Sequence, residues 1–244
     1  MKKILFLIAL TICTLQGFSQ HRGGRGGYVN WLTIAVKGGG GTFMMLNQDL
    51  KNTDNLTLEA FSPSYCFGGR LGVVFGNYVG VSFEYLGGGF KQKYSCQLEP
   101  SAVEGNFDFK ATDMLALVRY TGEYGFYAEL GPKFTTIKKA EYTFAQQPVE
   151  DVKPLFKEKN VAIAFGMGFM PYNGDRVQVS IGARAAYGFK DMVEDDKEPF
   201  YDLTSQPVTA ETKNLNVQIL LEVNYFFAKF GTANCGRHGI EFFK

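Results

Sequence analysis

Between Ser64 and Tyr94 the chain reads SYCFGGRLGVVFGNYVGVSFEYLGGGFKQKY. Leu71, Val73 and Phe75 alternate with Arg70 and Gly72. After Gly76-Asn77, Val79, Val81, Phe83 and Tyr85 alternate with Gly80, Ser82 and Glu84. Period-two alternation across a two-residue turn specifies a β-hairpin. One face is bulky and apolar, the other small or charged. On a soluble sheet the small, charged face meets water, whereas around a closed barrel the same pattern puts lipid outside and a polar interior within.

The remaining strands repeat the pattern. Trp31 to Gly41 sets Leu32, Ile34 and Val36 against Thr33, Ala35 and Lys37. A fourth strand sets Met114, Ala116, Val118 and Tyr120 against Asp113 and Arg119, and a fifth sets Phe126, Ala128 and Leu130 against Tyr127, Glu129, Gly131 and Lys133. Val161 to Phe169 alternates large residues with alanine and glycine. Val177 to Tyr187 carries Arg184 on its small face, and Leu215 to Phe227 carries Asn216, Gln218, Glu222 and Asn224. Polar stretches at about 47–63, 95–106, 139–158 and 190–213 alternate with short turns at Gly76-Asn77, Thr121–Tyr124 and Pro171–Asp175. Eight strands joined long, short, long, short match an outer-membrane barrel with short periplasmic turns. The expected fold is therefore all-β: an eight-stranded antiparallel transmembrane up-and-down β-barrel over residues 31–227, its interior filled by side chains. A lipocalin-like soluble barrel would put its apolar residues inward.

The small face carries Lys37, Arg70, Glu84, Arg119, Glu129, Lys133, Arg184 and Glu222. Charges enclosed in so narrow a barrel must pair, because desolvation is otherwise prohibitive. Counting from the turns makes Arg70 and Glu84 direct cross-strand neighbours and Arg119 and Glu129 diagonal ones. Lys37 and Glu222 meet only if the first and last strands close the ring. Tyr28, Trp31, Tyr78, Tyr120, Tyr124, Tyr172 and Tyr225 fall near the short-turn end, where an aromatic girdle is expected at the membrane interface.

Met1 to Ser19 reads as a secretory signal: Lys2 and Lys3, an apolar run from Ile4 to Ile12, and Gly17-Phe18-Ser19 before cleavage at Gln20. Cys13 raises a lipoprotein alternative, against which Ile12 occupies the position of a small lipobox residue. Residues 20–30 read as a flexible periplasmic leader and 228–244 as a periplasmic tail. Without the two signal lysines the charge is 25 − 2 = 23 basic against 24 acidic residues, which argues against nucleic acid as a partner. The expected surroundings are outer-membrane lipid and lipopolysaccharide, with outer-membrane or periplasmic proteins as partners. Cys66, Cys96 and Cys235 remain, an odd number. A Cys66–Cys96 disulfide is left open, and Cys235 lies on the other side of the membrane.

Barrel enzymes place a base, usually histidine, at the outer rim. The two histidines, His21 and His238, fall in the periplasmic tails, so the expectation is no enzyme, no cofactor and no metal. The acidic run Glu194-Asp195-Asp196, with Asp191, Glu198 and Asp202, lacks the spacing and glycine of a calcium loop and reads as a solvated loop. The glycines at 38–41 and 87–89 are not followed by the Lys-Ser/Thr of a phosphate loop.

The signal ending Ser19-Gln20, the GGRLGVVFGNYVGVSFEY hairpin, YAELGPKF at Tyr127–Phe134 and FGMGF at Phe165–Phe169 resemble the small outer-membrane β-barrel family widespread in Bacteroidota. Size and layout are similar to its PorT-like members. That resemblance implies a role in type IX protein secretion. The expected function is a non-enzymatic accessory subunit of an outer-membrane complex, for secretion or outer-membrane protein assembly. The rival is a stand-alone barrel acting through its loops as adhesin or stabiliser, or as a narrow channel. The tail, with Cys235, Arg237, His238, Phe242 and Phe243, is the expected partner contact.

Overall fold

Gly76 and Gly125 adopt φ of +61° and +78°, a region that side chains on Cβ disfavour. They turn the chain between β3 (Ser62–Phe75) and β4 (Val79–Leu98), and between β5 (Ser101–Thr121) and β6 (Phe126–Phe144). A computed structural model describes residues 30–51, 56–59, 61–76, 78–98, 101–144, 150–195, 197, 199–200, 210–232 and 238–242. The signal segment, residues 20–29 of the leader with Tyr28, and Cys235, Arg237 and Phe243 lie outside these residues, as do Asp196, Glu198 and Asp202.

The other staves are β1 (Asn30–Leu46), β8 (Lys159–Asn173), β9 (Val177–Gly188) and β10 (Lys213–Thr232). All neighbours are antiparallel in the order β1-β3-β4-β5-β6-β8-β9-β10, and β1 pairs back onto β10 from Asn30↔Phe230 to Leu46↔Lys213. This closure makes the protein an all-β, eight-stranded antiparallel barrel with almost no helix. Three short strands decorate it: β2 (Leu56–Leu58) on β4, β7 (Glu150–Asp151) on β6, and β11 (His238–Phe242) on the Ala228–Thr232 end of β10.

In the short-turn half of each stave the bulky face of the alternation points outward. Phe67, Leu71, Val81, Phe83, Val118, Leu130, Phe165, Met167, Ile219 and Leu221 are exposed, and together they make a continuous apolar belt round the ring. A soluble protein does not leave such a surface in water.

At the loop end three staves run further than their sequence suggests, and at the other end β10 continues past the expected limit at 227 to Thr232. The stretch at 95–106 is not a polar connection: β4 and β5 pair through it to Leu98↔Ser101. Likewise β6 continues to Phe144 through the start of the expected connection at 139–158. The physical reason lies in their faces. On β5, outward Met114, Ala116, Val118 and Tyr120 give way to outward Thr112, Lys110 and Asp108, while inward Phe109 and Phe107 are buried. Outward Lys91 and Asp108 are register partners joined at 2.6 Å. The same strands, in the same phase, invert their polarity: below the switch the greasy face is outside, above it the greasy face is inside. Water replaces lipid at that height, and the barrel acquires an ordinary hydrophobic core.

That core closes the loop end. Phe43, Phe90, Phe107 and Phe109 from the staves meet Leu50, Phe156, Met192 and Phe200 from the connections. Phe43 stacks on Phe90 at 4.1 Å, and Phe156 meets Phe109 edge-on at 5.0 Å, geometries that aromatic quadrupoles favour. Leu50 sits on the short helix α1 (Gln48–Lys51). Asn47 accepts from the amides of Asp49 (2.9 Å) and Leu50 (3.2 Å) and donates to Ala210 O at 2.7 Å. It thereby ties the first connection to the last.

Candidate functional site

Lys37 on β1, Arg70 on β3, Glu84 on β4, Arg119 on β5, Glu129 on β6, Arg184 on β9 and Glu222 on β10 converge in the lumen, each at most 4% exposed. Alternation turns all seven inward, and ring closure brings the first stave to the last. Each carboxylate is saturated by cationic donors. Glu84 takes Lys37 Nζ at 2.6 Å and a two-pronged Arg184, at 2.7 and 3.1 Å. Glu129 takes Arg119 Nη2 at 2.8 Å and Arg184 Nε at 3.0 Å, with Arg184 Nη2 also in contact. Glu222 is the hub: Lys37 at 2.5 Å, Arg70 Nη1 at 2.6 Å, Arg119 Nη1 at 2.7 Å, and Asn224 Nδ2 at 2.6 Å. The Arg119 guanidinium also lies 4.2 Å over the Tyr127 ring, a cation–π contact.

The pairing differs from the sequence expectation in three ways. Arg70 and Glu84 are register partners, yet Arg70 reaches past β1 to Glu222. Glu84 is already engaged by Lys37 and Arg184, and in so narrow a lumen a long side chain spans two staves. Arg119 and Glu129 are direct rather than diagonal partners. Lys133 stands outside the ring, bound to Asp113 at 2.8 Å, which also accepts from Thr135 Oγ1 at 2.6 Å. Lys37 and Glu222 are direct partners across the closing seam.

Only β8 contributes no charge at this level, and it contributes Gly166, paired with Glu129 on one side and Arg184 on the other. A Cβ there would lie 2.8 Å from both Glu129 Cγ and Oε1, so the glycine is the slot in which Glu129 lies. We expect Gly166→Val to cost about 1–3 kcal/mol by forcing that carboxylate aside. Gly87→Val, where a Cβ meets only Phe67 O at 4.0 Å, should be close to neutral. Urea midpoints of the refolded variants check both.

Of the expected girdle, Tyr120, Tyr124, Tyr172 and Tyr225 are exposed outward at the short-turn end. Trp31 is a correction: its phase is that of Thr33, it packs edge-on to Phe226 at 5.8 Å, and it lines a cavity inside the barrel mouth. Tyr78 lines the same mouth while stacking on Tyr120 at 6.3 Å. The tail residues His238 and Phe242 bound β11, where Phe242 pairs with Ala228.

Between the ring and the loop-end core lies a second layer of Cys66, Leu86, Leu115, Leu117, Ala164, Ala186 and Leu220. Cys66 is a free buried thiol, 3.7 Å from Gln218 Oε1. In the last connection Asp191 accepts from the amides of Val193 and Thr212, both at 3.0 Å. Asp195 accepts from Lys157 at 2.7 Å, which raises that ammonium above its ordinary value. Chemically, the interior is a bracing lattice: its three ring carboxylates are each covered by at least two cations, so none is poised as a base. The loop-end core was missed by sequence reasoning, although Phe107 and Phe109, alternating with Asp108, carried the signal; Asp113 was read on the inward face but not as the partner of Lys133.

No known family pattern matches the chain, and no curated protein matches it. Among solved structures it is similar to the attachment invasion locus protein Ail of Yersinia pestis (13% identity, 81% of this chain and 99% of that one, TM-score 0.37). It is also similar to Neisserial surface protein A (10%, 82% and 97%, TM-score 0.33) and to the outer membrane protease OmpT of Escherichia coli (12%, 82% and 95%, TM-score 0.32). The architecture itself rests on the closed strand register.

Proposed function

We propose that this chain is an integral barrel of a bacterial outer membrane that works by contact rather than by transport or catalysis. Its short turns and both termini face the periplasm. The observation that carries the reading is the stacked interior: charged ring, apolar layer and loop-end aromatic core succeed one another along the lumen. The exposed apolar belt and the outward tyrosines support the membrane setting.

In its finer form the protein is a non-enzymatic accessory subunit of an outer-membrane complex, the PorT-like secretion role or outer-membrane protein assembly. The β10–β11 hairpin beyond the short-turn end is the periplasmic contact. Deleting residues 231–244 should abolish recovery of a stoichiometric partner in mild detergent while leaving the barrel heat-modifiable on gels. A monomer with or without the hairpin contradicts this form. The stand-alone reading draws on the tall β4–β6 wall and its folded core, a rigid platform outside the membrane. Its channel version predicts stepwise conductance in planar bilayers; a closed lumen should give none.

A further inference from the structure

The ring holds four cations, Lys37, Arg70, Arg119 and Arg184, against three anions, Glu84, Glu129 and Glu222: an excess of 4 − 3 = +1 at nearly complete burial. Lys133 does not alter this count, being neutralised by Asp113. Arg70 is the under-used member. It donates from Nη1 to Glu222, whereas its buried Nε has no hydrogen-bond partner among the described residues. A guanidinium offers five donors in a fixed fork that matches a carboxylate. Leaving a buried charged donor unmatched is costly.

Both Arg70 and Arg119 border the cavity of about 440 Å³ at the short-turn mouth, a size in the range of small-molecule sites. Its walls are mixed in a useful way. Trp31, Phe226 and Val74 offer apolar surface, Asn224 and Gln178 offer amides, and Arg70 and Arg119 are the lining residues that belong to the charged ring. The carboxylates Glu123 and Asp175 also line it, but both are exposed turn residues. Glu123 accepts from Tyr78 at 3.1 Å.

We propose that this mouth binds a small organic monocarboxylate, its carboxylate on the Arg70 fork and its apolar body against Trp31 and Phe226. One negative charge there balances the ring and satisfies the spare donor. The apolar wall distinguishes such a ligand from a bare inorganic anion. This site stands on the barrel's own geometry and holds whether or not the barrel serves a larger complex.

Trp31 is the only tryptophan of the chain, so its emission reports on the cavity directly. The purified full-length barrel in neutral detergent is titrated with benzoate, with benzamide as uncharged isostere, and with chloride. Benzoate should change the emission saturably and bind at least about tenfold tighter than benzamide, the scale of a charge-assisted hydrogen bond. Val74→Phe, which narrows the cavity and leaves the charged residues in place, should weaken benzoate about tenfold or more by crowding its phenyl group off the apolar wall. Arg70→Lys should weaken it similarly, with circular dichroism showing that the barrel still folds. Equal responses to benzoate and benzamide overturn the carboxylate site. Equal responses to benzoate and chloride show counter-ion filling only and also overturn it, as does the absence of saturation.

Discussion

Replacing Glu222 by glutamine should remove about 3–5 kcal/mol of stability, the cost of breaking a buried ion pair from one side. Glu222 is contacted by Lys37, Arg70 and Arg119 at once. The substitution keeps the shape and leaves four cations facing two anions. Lys37→Met should be far milder, at under half that cost. Both acceptors of Lys37, Glu84 and Glu222, retain arginine partners, and its loss brings the ring to neutrality. Equilibrium urea unfolding of the two variants in phospholipid vesicles gives the comparison. Equal costs for the two substitutions would sink the idea that surplus positive charge governs the ring.

The second large effect lies at the other end of the barrel. Phe109 is fully buried and packs on Phe90 at 4.9 Å and Phe156 at 5.0 Å. Phe109→Ala should cost about 3–5 kcal/mol. The damage should be local, because this core is separated from the ring by the layer containing Leu115, Leu117 and Leu220, and proteins open in cooperative units. Trypsin should then cut faster in the connection carrying Lys153 and Lys157, while the barrel keeps its heat-modifiable migration. Loss of both together, or of neither, contradicts a separately closing cap.

Much of the wall was legible because a strand's side-chain period is fixed at two, and a membrane belt needs one face uniformly apolar. The alternation from Leu71 to Tyr85 therefore announced both the hairpin and its outward face. The inward charges were legible for the same reason. Their partners were not, since register sets Cβ neighbours whereas arginine length sets which carboxylate is reached. Arg70 shows this by bonding Glu222 across β1 instead of its register partner Glu84. The loop-end core was hidden by composition: Ser95, Gln97, Ser101, Glu104 and Asn106 made 95–106 read as a polar connector, and the outward Lys91, Lys93, Asp108 and Lys110 beside it masked the inward aromatics. Inward Phe90, Phe107 and Phe109 held the strand phase throughout. The inversion of polarity was written there, but it becomes meaningful only once the membrane stops at that height.

Adjacent residues of one stave see lipid and a packed lumen in turn, and the filled membrane barrel depends on that alternation. Ile219 is 66% exposed and Leu220 3%. With Trp31 replaced by phenylalanine, a single tryptophan is placed at 219 or at 220 and the barrel is folded into vesicles of brominated-chain phospholipid. Strong quenching is expected for Ile219→Trp and little for Leu220→Trp; equal quenching at the two positions, or none at 219, would contradict a lipid-facing belt around a filled lumen.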